Sequence, residues 1–224
     1  MILNGPSLTP REGAPTSAVV LLHGYGANGD DLIDLGHAWR DMLPQTVFLA
    51  PDAPEEIPFA GLGGRQWFPL TVRDPEEFWQ GVNHAAPVVA AYLDDLLQRY
   101  DLTMSHVALV GFSQGCMMAL HVGLRRPDSP AALIGFSGRL AGPEHLSTDL
   151  VSRPPILLVH GEDDEVIPVE AIHVAGQALK GAGLSVDCHV RPGLGHGIDT
   201  VGLGLAGRFL MNHLDVRQNS ATDC

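Results

Sequence analysis

Cysteine and lysine are both scarce in this chain. Its 224 residues include three cysteines, Cys116, Cys188 and Cys224. An odd and widely scattered set excludes a disulfide-stapled scaffold and suits a reducing compartment. Lys180 is the sole lysine, and 13 basic against 26 acidic side chains leave a formal charge of −13. Such a balance lacks the basic footprint that grips nucleic-acid backbones, and it argues against stable anchoring on anionic membranes. Long apolar runs are missing too: nothing approaches the roughly 18 residues that span a bilayer. Between Met1 and Val20 no basic stretch precedes an apolar core, so no secretory signal is expected. Ile2 stands where myristoylation needs glycine, and no cysteine lies nearby for another acyl anchor. The expectation is a cytoplasmic protein; a homodimer is left open.

What is present is a chain that is 45% hydrophobic and 17% charged, enough to build one compact domain over residues 1–224, with residues 215–224 as a frayed polar tail. Strands are predicted at Ala18–Leu22, Thr46–Ala50, His106–Val110, Ala132–Phe136, Ile156–Val159 and Val186–Val190. Most are nearly continuous apolar runs, as expected of a parallel sheet covered on both faces. Helical periodicity falls between them at Asp30–Leu43, Glu76–Tyr100 (interrupted near Pro87), Gln114–Arg125, Val169–Gly181 and Gly202–Leu214. Alternating strands and helices predict an α/β class with a doubly wound, mostly parallel sheet and right-handed crossovers. From Ala53 to about Asp74 the chain is rich in proline and glycine but carries Phe59, Trp67, Phe68 and Leu70. A loop that long is expected to bind substrate, and those four apolar residues are the candidate contacts.

Gly111-Phe112-Ser113-Gln114-Gly115 fits the nucleophile-elbow pattern, in which a sharp strand-to-helix turn exposes the serine and glycines leave room for crowded backbone. Alone the pattern is weak, and an ordinary serine capping a tight turn is the plain alternative. The context supports the elbow, because a buried-type strand precedes it and an apolar helix follows. A serine hydroxyl needs a base, and the base needs an acid to fix its tautomer. In this fold the chain order is serine, acid, histidine. His160-Gly161-Glu162-Asp163-Asp164-Glu165 follows one strand, and Gly193-Leu194-Gly195-His196-Gly197 follows the last. Both groups therefore leave carboxyl ends of parallel strands, the edge where such sheets place their sites. The remaining histidines named here, His37, His84, His121, His145, His173 and His213, fall at helical or loop polar positions. Between Asp163 and Asp164 local reasoning does not choose. The oxyanion donors are expected to be the backbone N–H groups of Gln114 and Tyr25, the latter in the loop His23-Gly24-Tyr25-Gly26-Ala27-Asn28-Gly29-Asp30. That loop also matches a phosphate-binding glycine pattern, but no lysine follows it. Cys116, about one helical turn past Ser113, reads as core packing. No metal-ligand spacing is present.

Taken in order, these segments resemble the carboxylesterase/phospholipase and acyl-protein thioesterase family of α/β-hydrolases. Leu22-His23-Gly24-Tyr25-Gly26 is similar to its oxyanion loop. Gly111–Gly115 with Met118-Ala119-Leu120 is similar to its nucleophile segment, and Gly193–Gly197 to its base loop. Gln66-Trp67-Phe68 is similar to its substrate loop. In the acid motif the aspartate is the fifth residue counted from His160, which implies Asp164. The resemblance spans Val19 to Leu214 and implies hydrolysis of small or medium acyl esters or thioesters, without a cofactor or a large lid. Pro69 and Cys116-Met117 depart from the family pattern and bear on acyl selectivity. The alternatives are a lysophospholipase or acyl-protein thioesterase for longer chains, or a non-catalytic binding module on the same fold.

Overall fold

A computed structural model describes residues 3–57 and 63–214. Six strands form a parallel array: β2 (Ser17–Leu22), β3 (Thr46–Leu49), β6 (Val107–Phe112), β7 (Ala132–Phe136), β8 (Ile156–Gly161) and β9 (Val186–Arg191). A two-residue strand β1 (Ser7–Leu8) pairs antiparallel with β3 and completes a seven-stranded sheet in the order β1-β3-β2-β6-β7-β8-β9. A separate antiparallel pair joins β4 (Glu55–Glu56) to β5 (Arg65–Gln66). β1, β4 and β5 have no counterpart among the predicted strands, since two residues are too few to show a period.

The helices are α1 (Gly29–Trp39), α2 (Pro75–Tyr100), α3 (Gln114–Arg125), the short α4 (Leu146–Asp149), α5 (Glu170–Gly181) and α6 (Thr200–Leu214). Successive residues of a strand point to opposite faces, and β2 shows the consequence. Ala18, Val20 and Leu22 join one apolar cluster with side chains of α2, α3 and α5. Val19 and Leu21 join another with side chains of α1 and α6. Both faces are thus buried, which is why these strands read as unbroken apolar runs.

The predicted interruption near Pro87 is corrected: α2 runs unbroken through it for 26 residues. Pro87 lies on the exposed side, where water can serve the carbonyl it leaves unpaired. Phe78, Val82, Ala85, Val89, Leu93 and Leu96 form the buried stripe that holds both halves to the sheet. α1 ends at Trp39, short of the predicted Leu43; its start is set by a reciprocal capping box between Asn28 and Asp31.

Candidate active site

The strand β6 leads directly into α3 through Ser113, whose backbone sits at φ 53°, ψ −113°. That conformation is strained for a residue with a side chain. Its flanking glycines are required by contact rather than by dihedral angle. A Cβ at Gly111 would collide with the carbonyl of Gly115, and one at Gly115 with the carbonyl of Leu22. The amide of Ser113 donates to Phe136 O at 2.9 Å, which fixes the turn against β7.

His196 stands on the loop after β9, and its Nδ1 lies 2.8 Å from Asp164 Oδ2. Asp164, on the loop after β8, is buried, whereas Asp163 is exposed. Asp164 Oδ1 accepts from the amides of Val166 at 2.9 Å and Ile167 at 2.8 Å. Burial raises the cost of its charge, but these amides and His196 outweigh that and hold the carboxyl below its usual range. The carboxylate at Oδ2 therefore sets the proton of His196 on Nδ1 and leaves Nε2 as the free acceptor. Ser113 and His196 line one cavity of about 260 Å³ without a direct hydrogen bond between them. Sequence reasoning assigned no separate role to His160, whose Nε2 lies 2.8 Å from Ile167 O and 3.3 Å from Asp164 Oδ2. It braces the acid turn from beneath.

The loop after β2 approaches the elbow closely: a Cβ on Gly24 would lie 3.3 Å from Ser113 Cβ. Tyr25 and Gln114 both line the cavity. Among the described residues, no protein acceptor takes either backbone N–H. His23 locks this loop from inside. Its Nε2 accepts from Ala53 N at 2.9 Å, so the proton sits on Nδ1, which donates to Gly24 O at 2.8 Å. Burial draws its pKa down, which keeps the ring neutral.

The structure separates the four predicted substrate contacts. Leu70 lines the cavity, while Phe59 lies outside the described residues. Trp67 and Phe68 do not line the cavity and are instead 1% and 0% exposed. The Phe68 ring occupies space that a side chain at Gly81 of α2 would fill. Gln114 clamps both residues, its Oε1 accepting from Trp67 N at 2.9 Å and its Nε2 donating to Phe68 O at 2.7 Å. Trp67 Nε1 in turn donates to His23 O at 2.9 Å. The pair supports the wall from behind. Phe78, Met117, Val166, Ile167, Arg73 and Arg139 line the cavity as well; no local motif marks them, because they come from five separate segments. Cys116 is buried as expected, its thiol pushed up to about 12 by burial. His121 corrects the reading of a polar helix position: it is 3% exposed, edge-on to Trp79. Among the described residues no cluster of histidine, cysteine, aspartate and glutamate is gathered as metal ligands.

Comparison with known proteins places the chain in a family. The chain is 28% identical to esterase YpfH of Escherichia coli, over 88% of this chain and 81% of that one. It is 26% identical to acyl-protein thioesterase 1 of Gibberella zeae, over 85% and 88% respectively. The crystal structure of esterase PE8 is 43% identical, with a TM-score of 0.91 over 96% of this chain and 100% of that one. A point variant of SOBER1 of Arabidopsis thaliana, 25% identical, superposes with a TM-score of 0.78 over 88% and 99%. A family model described as phospholipase/carboxylesterase matches residues 3–214, and the chain therefore belongs to that family of ester-cleaving α/β-hydrolases.

Proposed function

We propose that the protein is a serine carboxylesterase that forms an acyl-enzyme on Ser113. The observation that carries this reading is the strained elbow opening into the same cavity as an imidazole whose far nitrogen is fixed by Asp164. The Ser113 hydroxyl attacks the acyl carbonyl and passes its proton to His196 Nε2. Asp164 stabilises the imidazolium formed, and the alcohol leaves with that proton. The two unengaged amides, of Tyr25 and Gln114, supply donors for the oxyanion. Water, deprotonated by the same imidazole, then releases the acid. The hydroxyl and imidazole share one cavity, and contacts of this kind tighten once substrate is bound.

The compact volume of the cavity favours small to medium acyl groups. A second reading, cleavage of longer esters or thioesters, draws on the adjoining apolar cavity of about 460 Å³ that shares Phe78 and Arg139 and on the thioesterases among the relatives. Ser113→Ala is expected to lower kcat on aryl acetates by at least about 10³-fold with unchanged thermal unfolding. It is also expected to abolish labelling by a fluorophosphonate; retained turnover overturns the assignment. A series of aryl esters from acetate to palmitate separates the two substrate ranges.

A further inference from the structure

Acidic side chains outnumber basic ones 26 to 13 in this chain, yet among the described residues no carboxylate lines the cavity that holds Ser113. Two arginines line it instead, Arg73, which is exposed, and Arg139, which is half-buried. Six other arginines among the described residues form ion pairs, as Arg126 does with Asp94 and Arg191 with Asp199. Arg139 has neither ion pair nor hydrogen bond among the described residues, and its Nε is buried without a partner. Its guanidinium lies over the Phe78 ring at 4.5 Å. With no hydrogen bond taken up, its N–H donors, which lie in the guanidinium plane, remain free to meet an acceptor. Burial also draws its pKa below the usual guanidinium range. Glu144 and Glu170 line the adjoining cavity together with Arg139, and neither pairs with it. An unpaired, partly desolvated guanidinium is costly for folding alone. Its planar fork is suited to a carboxylate or phosphate.

Building on the serine esterase reading, we infer that Arg139 determines specificity by binding an anionic group, a carboxylate or phosphate, that the substrate carries away from its scissile ester. Arg73 adds positive charge at the mouth. The cavity thus selects charged esters that the acidic surface would otherwise repel.

The test compares matched pairs. Monomethyl adipate against methyl hexanoate puts the charge on the acyl side; 6-acetoxyhexanoate against hexyl acetate puts it on the alcohol side. The wild type is expected to favour the charged member of one pair, which shows where the anion sits. In Arg139→Met the charged-to-neutral ratio of kcat/KM for that pair falls about tenfold, mostly through KM, and Arg139→Lys keeps part of it. Because the ratio is internal to each protein, partial misfolding cancels. A wild type that prefers the neutral member of both pairs, or a ratio unmoved in Arg139→Met, overturns the inference while leaving the esterase reading intact. Turnover of neither pair, together with full activity in Ser113→Ala, overturns the esterase reading itself.

Discussion

Gln114 carries two duties that lie on opposite sides of its Cα. In the proposed reaction its backbone amide serves the oxyanion, while its side chain, 1% exposed, bonds Trp67 N and Phe68 O. Gln114→Leu keeps the backbone and the approximate volume but strands two buried polar groups. It is expected to cost about 2 kcal/mol in urea unfolding and to lower kcat/KM, because the aromatic pair behind the wall loses its fixed point. Unchanged stability would show that the clamp is dispensable. At this scale Ser113, Asp164 and His196 could be singled out from the sequence because each sits in a short glycine-marked motif at a strand end. The choice between Asp163 and Asp164 was not legible locally. It is decided by two amides, of Val166 and Ile167, that only the folded turn brings to one oxygen. The inward turn of Trp67 and Phe68 was equally hidden, since the space for Phe68 is made by Gly81 on a distant helix.

Among the elements, α2 governs the rim of the cavity through its first turn. Asp74 caps it by accepting from Glu77 N at 2.8 Å, and Pro75 opens it with a backbone that has no N–H to satisfy. Glu77 then gathers the Thr71 hydroxyl and the amides of Thr71, Val72 and Arg73, the stretch between Leu70 and the helix. The Thr71 hydroxyl first, then these amides, hold its carboxyl down to about 2. Asp74→Ala is expected to cost about 1 kcal/mol of stability by chemical denaturation and to raise KM as the rim loosens. A change in stability with no change in KM would uncouple the cap from the cavity. Ala132–Phe136 and Gln114–Arg125 match their predicted spans, because burial on all sides leaves one apolar signal with clear ends. Pro87 misled because local propensity yields to the buried stripe of α2, and the β4–β5 pair lay inside a stretch without period.

For the molecule as a whole, acid sensitivity follows from a histidine remote from the elbow. Burial first, and the charge of Arg125 second, lower the pKa of His121 from 6.5 to about 3. The folded state keeps the ring neutral while the unfolded chain protonates it, so unfolding takes up a proton between those values. The stability it confers is complete above pH 6.5 and drains as pH falls toward 3. Between pH 7 and pH 5 the loss is about 2 kcal/mol. Thermal melts at the two pH values are expected to show a smaller difference in His121→Leu than in the wild type. An equal difference would assign the acid sensitivity elsewhere.

The left-handed backbone at position 113 has a further consequence for anyone engineering this enzyme. Glycine relaxes there at little steric penalty and serine does not, so robustness and turnover pull in opposite directions on a single codon. A library screened for heat tolerance alone will enrich variants that have surrendered the proposed nucleophile, and each survivor has to be assayed for catalysis before it is kept.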